Sequence, residues 1–534
     1  MGEFWLRSPT HDKPNDMLDA ISGAHIYGKN IIQSESFTQL RINWDEHPAM
    51  LKPILDRNFA LGINKVFFHV FVHNPYLDRA PGMTLDGIGH YFQRDQTWWH
   101  QGKAWVDYVQ RCQAMLQYGH PVTDIAVFTG EEIPRRAILP DRLVPSLPGI
   151  FGTERVESEN IRLKNEGQPL RVMPAGVTHS ANMADPENWI NPLNGYAYDS
   201  FNKDALLRLA VTKDGKIVLP GGAAYRVLVM PLPHPMSPDS NSCSPEVQAK
   251  IKELKQAGVI IPDLPYQQAD FSAVGLERDV IVPKEIAWTH RRGDDADIYF
   301  ISNQENKERS FEISLRVQGK LPELWNPVTG EISTPVSFKT EAGRTIMKIN
   351  LDRYESTFVV FQNKTTLTDV VGKEVTAITV PFRTTGKWKV IFPAITKTIV
   401  RDSLFDWSKE SDNLIKYFSG TAIYQSTFVW KENSQHKQVY IQLGKVAEMA
   451  TVIINGVNCG TAWTSPYQVE ITGAVKKGMN TIEIDVVNTW ANAINGSDKG
   501  MPPFPGIKTN AKYRMPEDKL LEAGLLGPIS FMLK

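Results

Sequence analysis

Apolar and polar positions along the first 135 residues follow a strand–helix rhythm. Residues 2–6 (GEFWL) form a short apolar run, and residues 15–27 (NDMLDAISGAHIY) read as a helix with Asn15 or Asp16 at its N-cap. Residues 29–37 (KNIIQSESF) predict a strand that ends in polar residues. In residues 48–61, Met50, Leu51, Ile54, Leu55 and Phe59 recur at helical spacing. Residues 63–72 (INKVFFHVFV) are continuously apolar apart from Asn64, Lys65 and His69, as expected of a strand buried on both faces. A second long helix is predicted over 98–118 and a fourth strand over 122–128 (VTDIAVF). Strand, helix, strand at this spacing predicts βα units and a parallel sheet.

The pattern then changes. Residues 136–200 are rich in Pro, Asn and Gly. Residues 201–265 return to α/β, with a hairpin turning at Asp214-Gly215 (LAVTKDGKIVLP), a strand (YRVLVMP), a helix (SPEVQAKIKELKQAG) and a strand (VIIP). From about residue 280 onward, short alternating runs at 297–303, 311–317, 345–351 and 357–362 predict a β-sandwich. Further strands are expected at 422–429, 438–443, 450–454, 467–471 and 481–487, with a tight hairpin at Asn455-Gly456, which suits a jelly roll. The fold class expected is multidomain α/β plus β. Residues 1–200 would be a partial (β/α) barrel of the eight-stranded type and 201–270 a small flavodoxin-like α/β segment. Residues 271–365 would form a β-sandwich and 381–534 a second β-sandwich. Four βα units precede the change of pattern and a complete barrel needs eight, so the expectation is a chain lacking the first half of its barrel.

Polar residues gather at the C-terminal ends of the predicted strands: Glu3, Glu35, His69 and His73, then Glu131 and Glu132. In a (β/α) barrel those ends form the catalytic face. Nine of the 12 histidines also lie within residues 1–180. Glu35 is flanked by Ser34 and Ser36, whose hydroxyls can hydrogen-bond a carboxylate; a helix cap is the alternative. Glu131 and Glu132 follow Gly130, and a solvated acidic turn is their alternative. Glycoside hydrolysis needs two carboxyls across a glycosidic bond, which makes Glu35 and Glu131 the candidate pair. His69 and His73 share a strand face but sit ~13 Å apart at strand rise, too far to chelate one metal by that spacing. They are candidates for sugar hydroxyls, as Trp98 is for a sugar face, with Trp99 as its rival and burial of the following helix as the alternative for both. Trp463, Tyr467, Trp490 and Asn492 are either a sugar-binding patch or core.

Composition narrows the classes. Lys plus Arg total 58 against 59 for Asp plus Glu, a formal net charge of −1, which excludes a basic nucleic-acid platform. No run of 18 apolar residues occurs, so no membrane span is expected. Cys112, Cys243 and Cys459 are odd in number and far apart, without metal-site spacing. No GxSxG, P-loop, HExxH or GxGxxG motif occurs, which disfavours esterase, NTPase, zincin and dinucleotide enzymes. The opening residues MGEFWLRSPTHDKPND lack the marks of a signal peptide, so localisation is left open.

Several stretches resemble the bacterial α-L-rhamnosidases of glycoside hydrolase family 106. They include AHIYGKNIIQSESFT, GINKVFFHVFVHNP, APGMTLDGIGHYFQRDQTWW, DIAVFTGEEIP, AWTHRRGDDADIYFISNQ, PELWNPVTGEI and the long run from LGKVAEMATVIINGVNCGTAW to VVNTWANAING, in order over nearly the whole chain. The terminal part also resembles the galactose-binding-like sandwich of other large glycosidases. The resemblance implies cleavage of terminal α-L-rhamnose from plant polysaccharides by an inverting two-glutamate mechanism, and a calcium ion near the sugar hydroxyls. It implies that relatives are exported. Its Glu-Ser-Phe-Thr glutamate matches Glu35; its second glutamate is matched to Glu131, with Glu132 as competitor. The chain departs from the family in length, and in reading NAING where relatives often carry an Arg and a GD pair. The alternative expectation is a partial protein that binds carbohydrate without cleaving it.

Overall fold

The computed structural model describes residues 1–6, 14–39, 42–131, 195–230, 243–262, 271–283, 285–372, 377–431, 438–501, 507–511 and 519–534. Their folding divides into two compact units that do not follow chain order. One comprises Met1–Ser36, Pro53–Phe67 and Gln110–Gly372; the other comprises Phe37–Lys52, Phe68–Val109 and Lys373–Lys534.

The chain opens with β1 (Gly2–Trp5), α1 (Pro14–Ile26), β2 (Gln33–Thr38), α2 (Pro48–Leu61) and β3 (Lys65–Phe68), which belong to the first unit except for Phe37–Thr38, Pro48–Lys52 and Phe68. The three strands form one sheet in the order β1-β2-β3. Met17, Leu18 and Ile21 of α1, and Leu51, Ile54, Leu55 and Phe59 of α2, are buried, at the helical spacing the sequence shows. The apolar run after residue 63 does not continue as a strand. β3 ends at Phe68, and Phe71 beyond it is 67% exposed.

After α3 (Lys103–Leu116), the strand β4 (Ile125–Phe128) leaves the first sheet. It pairs in parallel with β5 (Tyr198–Phe201) on one side and β6 (Val227–Val229) on the other, and Val227 bridges in parallel to Ile260. In chain order this sheet runs 2-1-3-4, the doubly wound arrangement of flavodoxin-like folds. The α/β segment expected over 201–270 therefore takes its first strand from 125–128, a stretch the sequence suggested for a barrel. A continuous apolar run is required of any central parallel strand, so it does not separate the two architectures. Its core includes Ala126, Phe128, Phe201, Leu228, Val247 and Leu254, the last two from α4 (Pro245–Gln256). The hairpin at Asp214-Gly215 is present, with φ of 50° and 69° at the turn. Asp199 of β5 ties α1 to this sheet: it bonds His25 Nδ1 at 2.7 Å and accepts from Thr123 and Tyr225.

A β-sandwich completes the first unit. A six-stranded sheet holds Asp297–Asn303 between Ile286–Arg292 and Ser356–Lys364, and takes His120–Pro121 as its edge. A five-stranded sheet is built on Arg309–Leu315 and Arg344–Leu351. Ile301, Ile313, Leu315, Met347, Val359 and Phe361 fill the core between them.

In the second unit a four-stranded and a six-stranded antiparallel sheet enclose a core that includes Tyr424, Phe428, Trp407, Val452, Ile484 and Phe531. Asn455 and Gly456 close the hairpin between Met449–Ile454 and Val457–Ala462 with φ of 53° and 80°. Residues from the early part of the chain are built into this unit. Ile42, Trp44 and Tyr91 share a core cluster with Trp490, Ala493 and Ile494, and Thr84 exchanges hydrogen bonds with Asn510.

Candidate active site

Glu35 lies on β2, the middle strand of the first sheet. Burial alternates along β1, over Gln33–Ser36 of β2 and over Lys65–Phe67 of β3, so these stretches have a covered and a less covered side. Phe4, Ser34, Ser36 and Val66 are buried. The intervening positions, Glu3 and Trp5 on β1, Gln33 and Glu35 on β2, and Lys65 and Phe67 on β3, are partly or largely exposed. Side chains two apart on a strand share a face, so within each strand the two positions lie on its less covered side. Contacts along the strands agree: the Trp5 indole N–H donates to Glu3 Oε1 at 2.5 Å, and Lys65 Nζ lies 5.9 Å from the Phe67 ring centroid. Glu35 thus stands on the less covered side of the middle strand, with Glu3 and Trp5 on one flanking strand and Lys65 and Phe67 on the other. Sequence reading noted Glu3 but missed Trp5, Lys65 and Phe67. The period-two alternation of the strands carried that signal.

Glu131 is elsewhere. It follows β4, on the doubly wound sheet rather than on the sheet of Glu35. Its Oε1 pairs with Lys203 Nζ at 2.6 Å, and its Oε2 accepts from the Ser244 backbone N–H at 2.5 Å, at the N-cap of α4. Burial acts to raise its pKa, but the lysine and the Ser244 donors outweigh this and hold the carboxyl below its ordinary range. Both oxygens are engaged at a strand–helix junction, which is the work of a staple between the ends of β4, β5 and α4. Glu132 lies outside the described residues.

Trp98, expected to stack on sugar, is fully buried. Its indole N–H donates to the Glu46 carbonyl at 3.0 Å, and its ring stacks on His90 with centroids 6.0 Å apart. The pair of tryptophans does what the alternative reading stated: it closes the start of a helix, with Trp99 edge-on to Phe92. His69 and His73 lie beyond the end of β3, so strand geometry does not place them on one face. His69 is half-buried and His73 exposed. In the C-terminal sandwich, Trp463 meets Trp105 and Tyr108 edge-on, Trp490 donates to the Asp95 carbonyl, and Asn492 bonds Leu521 twice. These three are core; Tyr467 is half-buried.

Among the described residues no three His, Cys, Asp or Glu side chains converge as a metal site requires.

Residues 1–188 and 266–340 match the family model described as glycoside hydrolase family 106, α-L-rhamnosidase. Residues 390–518 match the galactose-binding domain-like model of glycosyl hydrolase family 2. The solved structure of a rhamnosidase from Novosphingobium sp. PP1Y is 28% identical with a TM-score of 0.80, covering 100% of this chain and 51% of that one. A Formosa agariphila protein, provisionally named a β-glucuronidase, is 24% identical, covering 99% of this chain and 65% of that protein. The chain thus spans about half the length of the solved rhamnosidase and just under two thirds of the curated relative. Glu35 and its sheet fall within the first stretch matched by the family 106 model, as does Glu131.

A prediction separates the two glutamates. Glu131→Gln removes the charge from the Lys203 pair while keeping the side-chain shape. Rhamnoside turnover is expected to stay within about threefold of wild type, since no reacting atom is touched. A loss as deep as that of a Glu35 variant would return Glu131 to the catalytic site.

Proposed function

We propose that this protein is an α-L-rhamnosidase-type glycoside hydrolase, cleaving terminal α-L-rhamnosyl linkages of plant polysaccharides with inversion. The observation that carries the reading is the position of Glu35: on the less covered side of a middle strand, within the stretch matched by the α-L-rhamnosidase family model. Strands alternating with helices in that stretch suit one segment of a (β/α) barrel, whose strand ends carry catalytic groups. Glu35 is assigned as general acid, protonating the departing glycosidic oxygen. Inversion requires a second carboxyl to activate water on the opposite ring face, ~6.5–9.5 Å from the first. Glu131, tied to Lys203 and Ser244, is not given that role.

The test is release of L-rhamnose from an aryl α-L-rhamnoside, with the anomer formed first read by proton NMR. An aryl β-glucuronide serves as the competing substrate, because of the name borne by the Formosa protein. Rhamnoside cleavage giving the β-anomer supports the proposal. Retention of configuration removes the inverting mechanism, and cleavage of the glucuronide alone removes the substrate. A chain that binds L-rhamnose but cleaves neither substrate is a carbohydrate-binding protein, the second reading.

A further inference from the structure

A small cavity lies inside the first unit, where α1, β5 and the sandwich strand Ile286–Arg292 line a common space. Its volume is about 30 Å³, and its polar lining includes His25, Thr123, Asp199, His290 and Arg291. That is room for roughly one or two water-sized particles and too little for a sugar ring.

Two of these side chains are short of a partner. His25 is 7% exposed and spends Nδ1 on Asp199 Oδ1 at 2.7 Å, while its Nε2 is buried with no hydrogen-bond partner among the described residues. The other oxygen of Asp199 is taken by the hydroxyls of Thr123 and Tyr225. Arg291 is 3% exposed and donates from Nε to the Tyr118 carbonyl at 2.9 Å, and from Nη2 to Asn30 Oδ1 and the Gly119 carbonyl. All three acceptors are neutral. The residues on either side of it are matched by charge: His290 sits between Asp279 and Asp297, and Arg292 pairs with Asp297. Burial pulls the Arg291 guanidinium down to about 10 with no carboxylate opposing it, so it is still charged at neutral pH.

A buried charge without a counter-charge is costly, and buried polar atoms are ordinarily hydrogen-bonded. Water would satisfy Nε2 of His25 and leave the charge of Arg291 unmatched. A small anion answers both. We propose that this cavity is a binding site for a small monovalent anion, of the size of chloride or formate, held between His25 and Arg291. His25 takes the ion as the imidazolium, with Nδ1–H on Asp199 and Nε2–H on the anion, so a proton enters with it. The charges then balance, Asp199 against His25 and the anion against Arg291. The bound ion joins α1 and the doubly wound sheet to the sandwich, and its effect falls on the stability of the first unit, whatever the role of Glu35.

The experiment is thermal unfolding of the full chain in sodium chloride, sodium formate and sodium gluconate at equal ionic strength. Gluconate is too large to enter. Chloride or formate is expected to raise Tm saturably by about 2–6 °C over gluconate, and the more effective of the two identifies the ion. His25→Asn keeps a donor for Asp199 and has nothing in place of Nε2; Arg291→Gln removes the charge. Each is expected to abolish the difference between salts, and Arg291→Lys, which keeps the charge, to retain part of it. Crystals grown in sodium bromide are expected to show an anomalous peak in the cavity beside His25 Nε2. That measurement uses the wild-type chain, so it decides the matter where a variant fails to fold. Equal Tm in the three salts overturns the proposal. So does a cavity without bromide, or a salt effect that persists in folded His25→Asn and Arg291→Gln.

Discussion

Replacing Glu35 with glutamine is expected to lower kcat for a phenyl α-L-rhamnoside by about 10²–10⁴-fold, the usual contribution of a general acid. Glutamine keeps the shape of the side chain and cannot transfer the proton. The change should therefore act on turnover and leave KM nearly unaltered, because the interaction lost is made only in the transition state. The leaving group gives a sharper criterion. A phenol with strong electron-withdrawing groups departs without proton assistance, so the loss should shrink to about tenfold or less on a dinitrophenyl rhamnoside. An equal loss on both substrates would mark Glu35 as the base rather than the acid. Unchanged kcat on the phenyl substrate would remove Glu35 from the reaction.

The position of Glu35 was legible because its signal is local: a carboxylate between two serines at the end of an apolar run, on a strand of alternating burial. The β-domains were legible for the same reason, since alternation of apolar positions and tight turns such as Asn455-Gly456 are properties of short stretches. What failed was long-range. Ile125–Phe128 has the composition of a buried parallel strand, and nothing in those four residues says which sheet it joins. Its neighbours, Tyr198–Phe201 and Val227–Val229, lie some 70 and 100 residues further on. Glu131 moved with its strand, away from the sheet of Glu35. Trp98 failed differently. An aromatic residue at a loop–helix junction serves a sugar face or a core equally well by type. Only the burial against His90 and the bond to the Glu46 carbonyl decide it.

The second large effect concerns stability. His290→Phe is expected to destabilise the first unit by about 3–5 kcal/mol near pH 6, the cost of breaking a buried ion pair by removing one partner. His290 is 1% exposed and lies between two carboxylates, with Nδ1 2.8 Å from Asp279 Oδ2 and Nε2 3.1 Å from Asp297 Oδ1. With an acceptor at each nitrogen, the doubly protonated ring satisfies both. Burial disfavours the imidazolium, but Asp279 and Asp297 outweigh it and raise the pKa. Burial likewise opposes ionisation of the two aspartates, while His290, with Arg316 at Asp279 and Arg292 at Asp297, holds both carboxyls below their ordinary range. Phenylalanine preserves the stack on Tyr299, 3.8 Å away, and removes both donors, so the loss measures the charge network rather than a cavity. The signs of the shifts set the pH dependence. A histidine with a raised pKa contributes its full stabilisation below ~6.5, its unfolded value, and loses it as pH climbs through the folded pKa. Aspartates with lowered pKa values contribute above ~3.9 and lose it as pH falls through their folded pKa values. The gap between wild type and variant in urea unfolding should therefore be widest at about pH 4–6.5 and narrow in alkali. A gap that widened from pH 6 through pH 7 would mean that His290 is buried as the neutral ring with both aspartates ionised, the folded state then binding fewer protons than the unfolded one.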